Sequence, residues 1–245
     1  MSTETFPAER IVIIGCGGIG GWMYEPLLRY LHVNNITTPI YLVDGDIVEE
    51  RNLLRQNFMG ADVGLNKAKA LACRYGHLSE GLFEPCERPF FNSQVSIVES
   101  FVSPESLTDI VVENSIVMLC VDNNWTRRVI EEHVKDFSNV VVISASNEES
   151  DGDVLQYCCY KGKKLTPLLS VQNPDIVTAL ERPDDIGVTG CAAAQVQNHI
   201  ANYTSAMVAL NFLENYLTLK KRYWAKIKGV RYDLKRFSIM YESTK

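Results

Sequence analysis

The stretch IVIIGCGGIGGW, Ile11 to Trp22, joins four consecutive β-branched residues to a glycine-rich turn and then to the start of a helical pattern. Ile-Val-Ile-Ile reads as a strand buried on both faces, since a short apolar run bounded by a turn is what the interior of a parallel sheet requires. In GCGGIG, Gly15 and Gly17 let the backbone turn tightly and approach phosphate oxygens, with Gly18 beside them, and Gly20 lets helix and strand pack closely. The helix N-terminus adds unpaired N–H groups and a partial positive charge, which suit an anion. Glycines can also make a tight turn for its own sake; it is the place between strand and helix that favours a nucleotide.

Working outward, further apolar, β-branched runs at Ile40-Val43, Val95-Phe101, Ile116-Val121 and Val140-Ile143 read as buried strands. Helical patterns lie between them. After Asn66, the residues Ala68, Leu71, Ala72 and Tyr75 recur at i, i+3, i+4, i+7, and Ser103-Pro104 is a helix start. Alternating strand and helix predicts an α/β fold: a Rossmann-like, doubly wound, mostly parallel sheet with helices on both faces, its ligand at the strands' C-terminal edge. A strand and a loop are expected from Asp151, then an irregular stretch to Gly190. A long helix follows with an apolar stripe of Val196, Ile200, Tyr203, Met207, Leu210, Leu213 and Leu217. Alternation at Val230, Tyr232, Leu234 and Phe237, Ile239, Tyr241 predicts a closing C-terminal hairpin.

Asp44, at the end of the second strand, stands where an acid accepts hydrogen bonds from an adenosine ribose. To this point NAD and ATP fit equally. The segment VDGDIVEERNLLRQNF, Val43 to Phe58, separates them by adding Asp46, Asn52, Arg55 and Gln56 close behind. A dinucleotide's pyrophosphate can be held largely by backbone N–H groups, whereas a triphosphate concentrates about four negative charges and calls for cations and a metal. Arg55 and Lys67 are the candidate cations. Lys67 falls in the first turn of a helix, where the macrodipole disfavours a positive charge by a few tenths of a kcal/mol to about one. A bound polyanion would relieve that conflict, and the alternative is a solvated lysine. Asp122, in MLCVDNN, follows the fourth strand on the same edge and could hold Mg²⁺ against phosphate oxygens. Equally, it could be the N-cap of the next helix, a role open to Asn123 or Asn124.

With 245 residues, 46% hydrophobic and 22% charged, the chain suits one large domain with a sizeable core. It holds no run of 18 apolar residues and no signal-peptide pattern at its start, so no membrane is expected and the cytoplasm is the default. The 7 cysteines are scattered through apolar segments without a C-x-x-C pair, which implies a reducing compartment and argues against a structural zinc. Cys158 and Cys159 should leave a strand on opposite faces. The net charge is -6, yet Lys220 to Lys245 is basic, so the body is acidic and disfavours nucleic acid.

In order and spacing, IVIIGCGGIGGW, VDGDIVEERNLLRQ, VGLNKAKA and CVDNNWTRR resemble the ThiF/MoeB family, relatives of the ubiquitin-activating enzymes. RYLHVNNITTPIYLVDGD and GCAAAQVQNHIANYTSAMVALNFL look most similar to the ThiF-type proteins of the plasmid PRTRC gene system. The resemblance implies an ATP-binding, ThiF-like adenylation domain over residues 1–219, with 220–245 a basic hairpin extension of the same domain. It implies ATP and Mg²⁺, and adenylation of the C-terminal glycine carboxylate of a ubiquitin-like or sulfur-carrier-like partner. Asp44 would bind ribose, Asn52, Arg55 and Lys67 the phosphates, and Asp122 the metal, with Asn123 beside it; Asp46 and Gln56 would order the loop. In many relatives a cysteine then takes the acyl group. Cys191, leading into the long helix, is the candidate, because a helix N-terminus would lower its pKa.

The resemblance also implies a homodimer. Many relatives bring an arginine from an N-terminal helix into the partner subunit's ATP site. Only 14 residues precede Gly15 here, and Arg10 is poorly placed for that task. Other readings remain open: a non-catalytic ATP-binding subunit paired with an active relative, adenylation of a modified tRNA or a peptide, and an NAD-linked oxidoreductase.

Overall fold

A computed structural model of the chain describes residues 5–80, 94–179, 198–219 and 225–244. Five parallel strands form one half of its sheet: β1 (Arg10–Ile14), β2 (Ile40–Val43), β3 (Val95–Val98), β4 (Ser115–Leu119) and β5 (Val140–Asn147). The other half is antiparallel and consists of β6 (Asp151–Tyr160), the two-residue β7 (Lys163–Lys164), β8 (Ile227–Asp233) and β9 (Ser238–Ser243). The order across the sheet is β3-β2-β1-β4-β5-β6-β8-β9, with β7 on β6. β1 lies at the centre of the parallel half, between β2 and β4, with Ile14 in register with Val43 on one side and Leu119 on the other.

The strand residues divide by parity. Ile11, Ile13, Ile40, Leu42, Ile116 and Met118 enter one apolar cluster with α1 (Gly18–Val33), α2 (Lys67–Glu80) and α7 (His199–Leu217). Val12, Ile14, Val43, Val117 and Leu119 enter a second, against α3 (Pro104–Ile110) and α4 (Asn124–Val134). A period of two is what puts successive side chains on opposite faces, and helices on both sides keep both sets dry. Cys158 and Cys159 follow the rule, one in each cluster. Fully burying a Leu or Ile contributes roughly 1.5–3 kcal/mol, so Leu27, Leu31, Ile11 and Ile13 are among the fold's main supports. Ser103 caps α3 by accepting from Ser106 N, with Pro104 at the first helical position.

Three expectations need correction. The strand expected over Val95-Phe101 stops at Val98 and is not buried: it is the outer strand, and Val95 and Ile97 are exposed. The irregular stretch after β7 contains two single-turn helices, α5 (Leu169–Gln172) and α6 (Asp175–Thr178), which cover the second cluster through Leu169 and Ile176. The stripe of the long helix holds only in part: Leu213 is buried and Met207, Leu210 and Leu217 pack against the first cluster, while Val196 lies outside the described residues. Ile200 is 51% and Tyr203 47% exposed, while Ala201, Asn202, Ser205, Ala206 and Ala209 are buried, because α7 packs close against α1 and β5 on its small side chains. Among the described residues no helix is long and apolar enough to cross a membrane.

Burial leaves a titration signature. The thiol of Cys120, just past β4, is pushed up to about 12 by desolvation, offset only in part by the Arg127 guanidinium. A raised folded pKa means this contribution is complete below the ordinary value of 9.0 and is lost as pH climbs towards about 12. Urea unfolding between pH 8 and 11 should therefore show stability falling above pH 9, by at most about 1.4 kcal/mol per unit from this group. Cys120→Ala should flatten that slope; an unchanged slope would mean the thiol is not buried in the native state.

Candidate active site

Everything at the sheet's C-terminal edge is arranged around the glycine turn. Gly15 takes φ +92°, and a Cβ there would lie 2.6 Å from the Cys120 carbonyl oxygen, so only glycine fits. Its N–H donates to Val43 O at 2.9 Å, tying the turn to the end of β2. α1 then begins with no side-chain cap and no acid in its first turn. Over its 16 residues it presents the unpaired N–H groups and the positive dipole end that attract an anion.

Asp44 closes this turn from β2. Its Oδ2 accepts the Cys16 N–H at 2.6 Å and its Oδ1 the Asp46 N–H at 2.8 Å. Desolvation raises its pKa, against the pull of Lys67 and the two backbone donors. Lys67 does not reach into bulk water. It is 8% exposed and folds back so that Nζ meets Asp46 Oδ2 at 2.8 Å, above the same rim. Asn66 fastens this corner: Nδ2 donates to Asp44 O and Asp46 O, while Oδ1 accepts from Lys69 N at the start of α2.

The other wall is the 3-10 turn at Glu50–Leu54. Asn52 is buried and shapes it, Oδ1 accepting the Glu49 N–H at 2.9 Å and its carbonyl accepting from Arg55 and Gln56. Arg55 is half-buried, its carbonyl held by Trp22 Nε1 at 3.3 Å and Asn202 Nδ2 at 3.2 Å. The Gln56 amide rests against Gly17, 3.5 Å from where a Cβ would stand, and its buried Oε1 has no hydrogen-bond partner among the described residues. A half-turn of the amide would point Nε2 there instead, a donor for an anion in the turn.

Across β1, Asp122 follows β4. It is exposed, and no hydrogen bond or ion pair engages its carboxylate among the described residues. The N-cap of α4 is Asn123, whose Oδ1 accepts the Thr126 N–H at 2.8 Å, so Asp122 is not needed for capping. Among the described residues no three His, Cys, Asp or Glu side chains cluster. That pattern does not suit a metal held by protein alone, but it fits Mg²⁺, which uses one or two carboxylates together with phosphate oxygens.

The structure thus assembles Gly15, Gly17, Gly18, Gly20, Asp44, Asp46, Asn52, Arg55, Gln56, Lys67, Asp122 and Asn123 around one edge. Cys191 lies outside the described residues. Among the described cysteines Cys16, Cys120, Cys158 and Cys159 are buried and Cys73 is exposed on α2. Desolvation pushes the Cys16 and Cys159 thiols up, away from the thiolate a nucleophile needs. Sequence reading missed Asn66, Asn202 and Arg127. Asn66 carried a usable signal, an Asn just before a helix. Asn202 carried none, since its place beside Gly18, whose Cβ would meet it at 2.6 Å, exists only once α7 is packed.

A family model described as the ThiF family matches residues 3–243. The chain belongs to the ThiF family. Adenylyltransferase and sulfurtransferase MOCS3 of Xenopus laevis is 26% identical over 207 residues, 83% of this chain and 40% of that protein. The probable adenylyltransferase/sulfurtransferase MoeZ of Mycobacterium tuberculosis is 32% identical over 50% of the chain and 28% of its own length. The SAMP-activating enzyme E1 of Haloferax volcanii is 30% identical over 51% of the chain and 41% of its own. This ThiF-family chain therefore spans well under two thirds of these relatives. Among solved structures, Escherichia coli MccB with ATP has a TM-score of 0.64 at 17% identity, covering 98% of this chain and 64% of that one. PaaA has 0.65 at 21%, covering 96% and 72%. Both share the fold.

Proposed function

We propose that this ThiF-family protein binds ATP-Mg²⁺ and adenylates the C-terminal carboxylate of a ubiquitin-like or sulfur-carrier-like partner protein. One observation carries the reading: the uncapped N-terminus of α1, the folded-back Lys67 and the Asp122 carboxylate, unengaged among the described residues, share one rim. Two phosphates need only the first of these; a third phosphate and its metal give the others work. The names of the relatives, adenylyltransferases and an activating enzyme, and the ATP in the MccB crystal, support the same reading.

In this scheme the partner's carboxylate oxygen attacks the α-phosphorus, the bond to the bridging oxygen breaks, and pyrophosphate leaves with the electron pair. The product is an acyl-adenylate, a mixed anhydride open to attack by sulfur or nitrogen. Asp44 would hold the ribose hydroxyls, the α1 N–H groups and Gln56 the phosphates, and Lys67 with Arg55 would balance their charge. Mg²⁺, held by Asp122 against phosphate oxygens, would neutralise charge on the leaving group. The chain's task is positioning and electrostatics, so adenylation itself asks for no protein nucleophile.

The test is exchange of labelled pyrophosphate into ATP, with and without a candidate β-grasp partner ending in glycine. Partner-dependent exchange is expected. Tight ATP binding without exchange for any such partner would instead favour a non-catalytic subunit.

A further inference from the structure

Arg127 is a buried charged side chain that no carboxylate contacts directly among the described residues. It lies near the start of α4, is 7% exposed, and among the described residues forms no ion pair. Its donors go to neutral groups instead. Nε donates to Ser144 Oγ on β5 at 3.2 Å, one terminal nitrogen to Asn124 Oδ1 at 2.8 Å, and the other to Val121 O at 2.6 Å. Val121 and Asn124 are the two residues that flank Asp122 and Asn123. The guanidinium therefore holds the turn at both ends and ties it to the neighbouring strand.

Burying an unpaired cation is costly, and an apolar side chain of similar size would pack beside the β5 strand without that cost. Capping does not explain it, since Asn123 already caps the helix. Two carboxylates, Asp153 on β6 and Asp122, do act on Arg127 through space. Asp153 is occupied by Ser146 Oγ, whereas among the described residues both oxygens of Asp122 stay open. Had Arg127 paired directly with Asp122, that carboxylate could not take a cation. By holding the Val121 carbonyl on one side and the Asn124 side-chain oxygen on the other, it fixes Asp122 in place without using its oxygens.

We propose that Arg127 is a positioning residue for the metal-holding acid, clamping the Val121–Asn124 turn so that Asp122 presents both oxygens at the rim. The inference rests on the reading of Asp122 as the Mg²⁺ ligand. Outer partners that orient a metal ligand typically matter by 10- to 100-fold in metal affinity, which sets the expected scale.

The experiment uses the full chain and Mn²⁺ as the probe, its affinity read by electron paramagnetic resonance with ATP present, alongside ATP affinity in EDTA. Arg127→Met should weaken Mn²⁺ by roughly tenfold and leave metal-free ATP affinity within about twofold, and Arg127→Lys should recover part of the loss. A structural role alone would weaken ATP with and without metal alike, and that outcome overturns the proposal. So does an unchanged Mn²⁺ affinity in Arg127→Met when Asp122→Asn has lost it. If instead Asp122→Asn binds Mn²⁺ as wild type does, it is the metal reading of Asp122 that fails. Should Arg127→Met not fold, Arg127→Lys and Asn124→Ala decide: a selective loss of Mn²⁺ in either supports the clamp, and wild-type affinity in both removes it.

Discussion

Asp122→Ala is expected to abolish partner-dependent pyrophosphate exchange, by at least about a hundredfold, the scale on which removing one preorganised electrostatic group acts. It should do so while barely touching the fold. Asp122 is exposed, no hydrogen bond or ion pair engages it among the described residues, it acts on Arg127 only through space, and the α4 cap is made by Asn123. Surface changes of that kind stay within about 0.5 kcal/mol, or about 2 °C in Tm for a chain of this size. The separation is the diagnostic part, because a residue retained for stability would move the melting point and a residue holding the metal would move exchange. Exchange that survives the substitution would remove Asp122 from the metal site and leave the third phosphate without its counter-ion. Asn123→Ala makes the reciprocal control: loss of a cap costs about 1 kcal/mol of stability.

The parallel half of the sheet was legible because its strands are buried on both faces, which forces unbroken β-branched runs such as Ile11–Ile14 and Val140–Ile143. The same rule misled at β3, whose Val95 and Ile97 have the right composition but stand at the sheet's outer edge. α7 was found by its periodicity, and its inward face was right for Met207, Leu210, Leu213 and Leu217 but wrong for Ile200 and Tyr203. It is apolar on nearly all sides, so the period fixes the helix while the phase is set by packing. In its first half the small residues Ala201, Ser205 and Ala209 go inward and Ile200 stays out, while further along Phe212, Leu213 and Tyr216 are buried.

In the site, what was legible is what lies in one short segment. Asp44 and Asp46 announce themselves by spacing, and the conflict of a lysine at a helix start pointed to Lys67, which the structure turns back over Asp46. What was not legible is made by contact between distant segments. Asn202, 147 residues from Arg55, steadies the Arg55 carbonyl, and Arg127 reaches a turn and a strand at once. A polar residue in a helix gives no sign of such partners until the helix is placed.

The strongest effect on stability belongs to Gly20→Ala, a change of one methyl group. A Cβ on Gly20 would fall directly onto the carbonyl oxygen of Gly15, a backbone atom with nowhere to retreat. Gly15 is held at φ +92° by its hydrogen bond to Val43 O, and the Cys120 carbonyl oxygen fills the space beside it, 2.6 Å from where a Cβ would stand. Relief must come from α1 lifting off β1, yet the buried residues of α1 include Met23, Tyr24, Leu27, Leu28 and Leu31, all in the first cluster. Opening that contact belongs with the exceptional mutations, above about 4 kcal/mol, against a total stability on the order of 5–15 kcal/mol. The expected result is insoluble protein or a Tm lower by more than about 8 °C. Gly60→Ala is the control, since a Cβ there meets nothing within 4 Å and should change stability by less than about 1 kcal/mol. A Gly20→Ala protein that melts with wild type would mean that helix and strand do not approach so closely, and the glycine turn would lose its structural reason for a third glycine at that spacing.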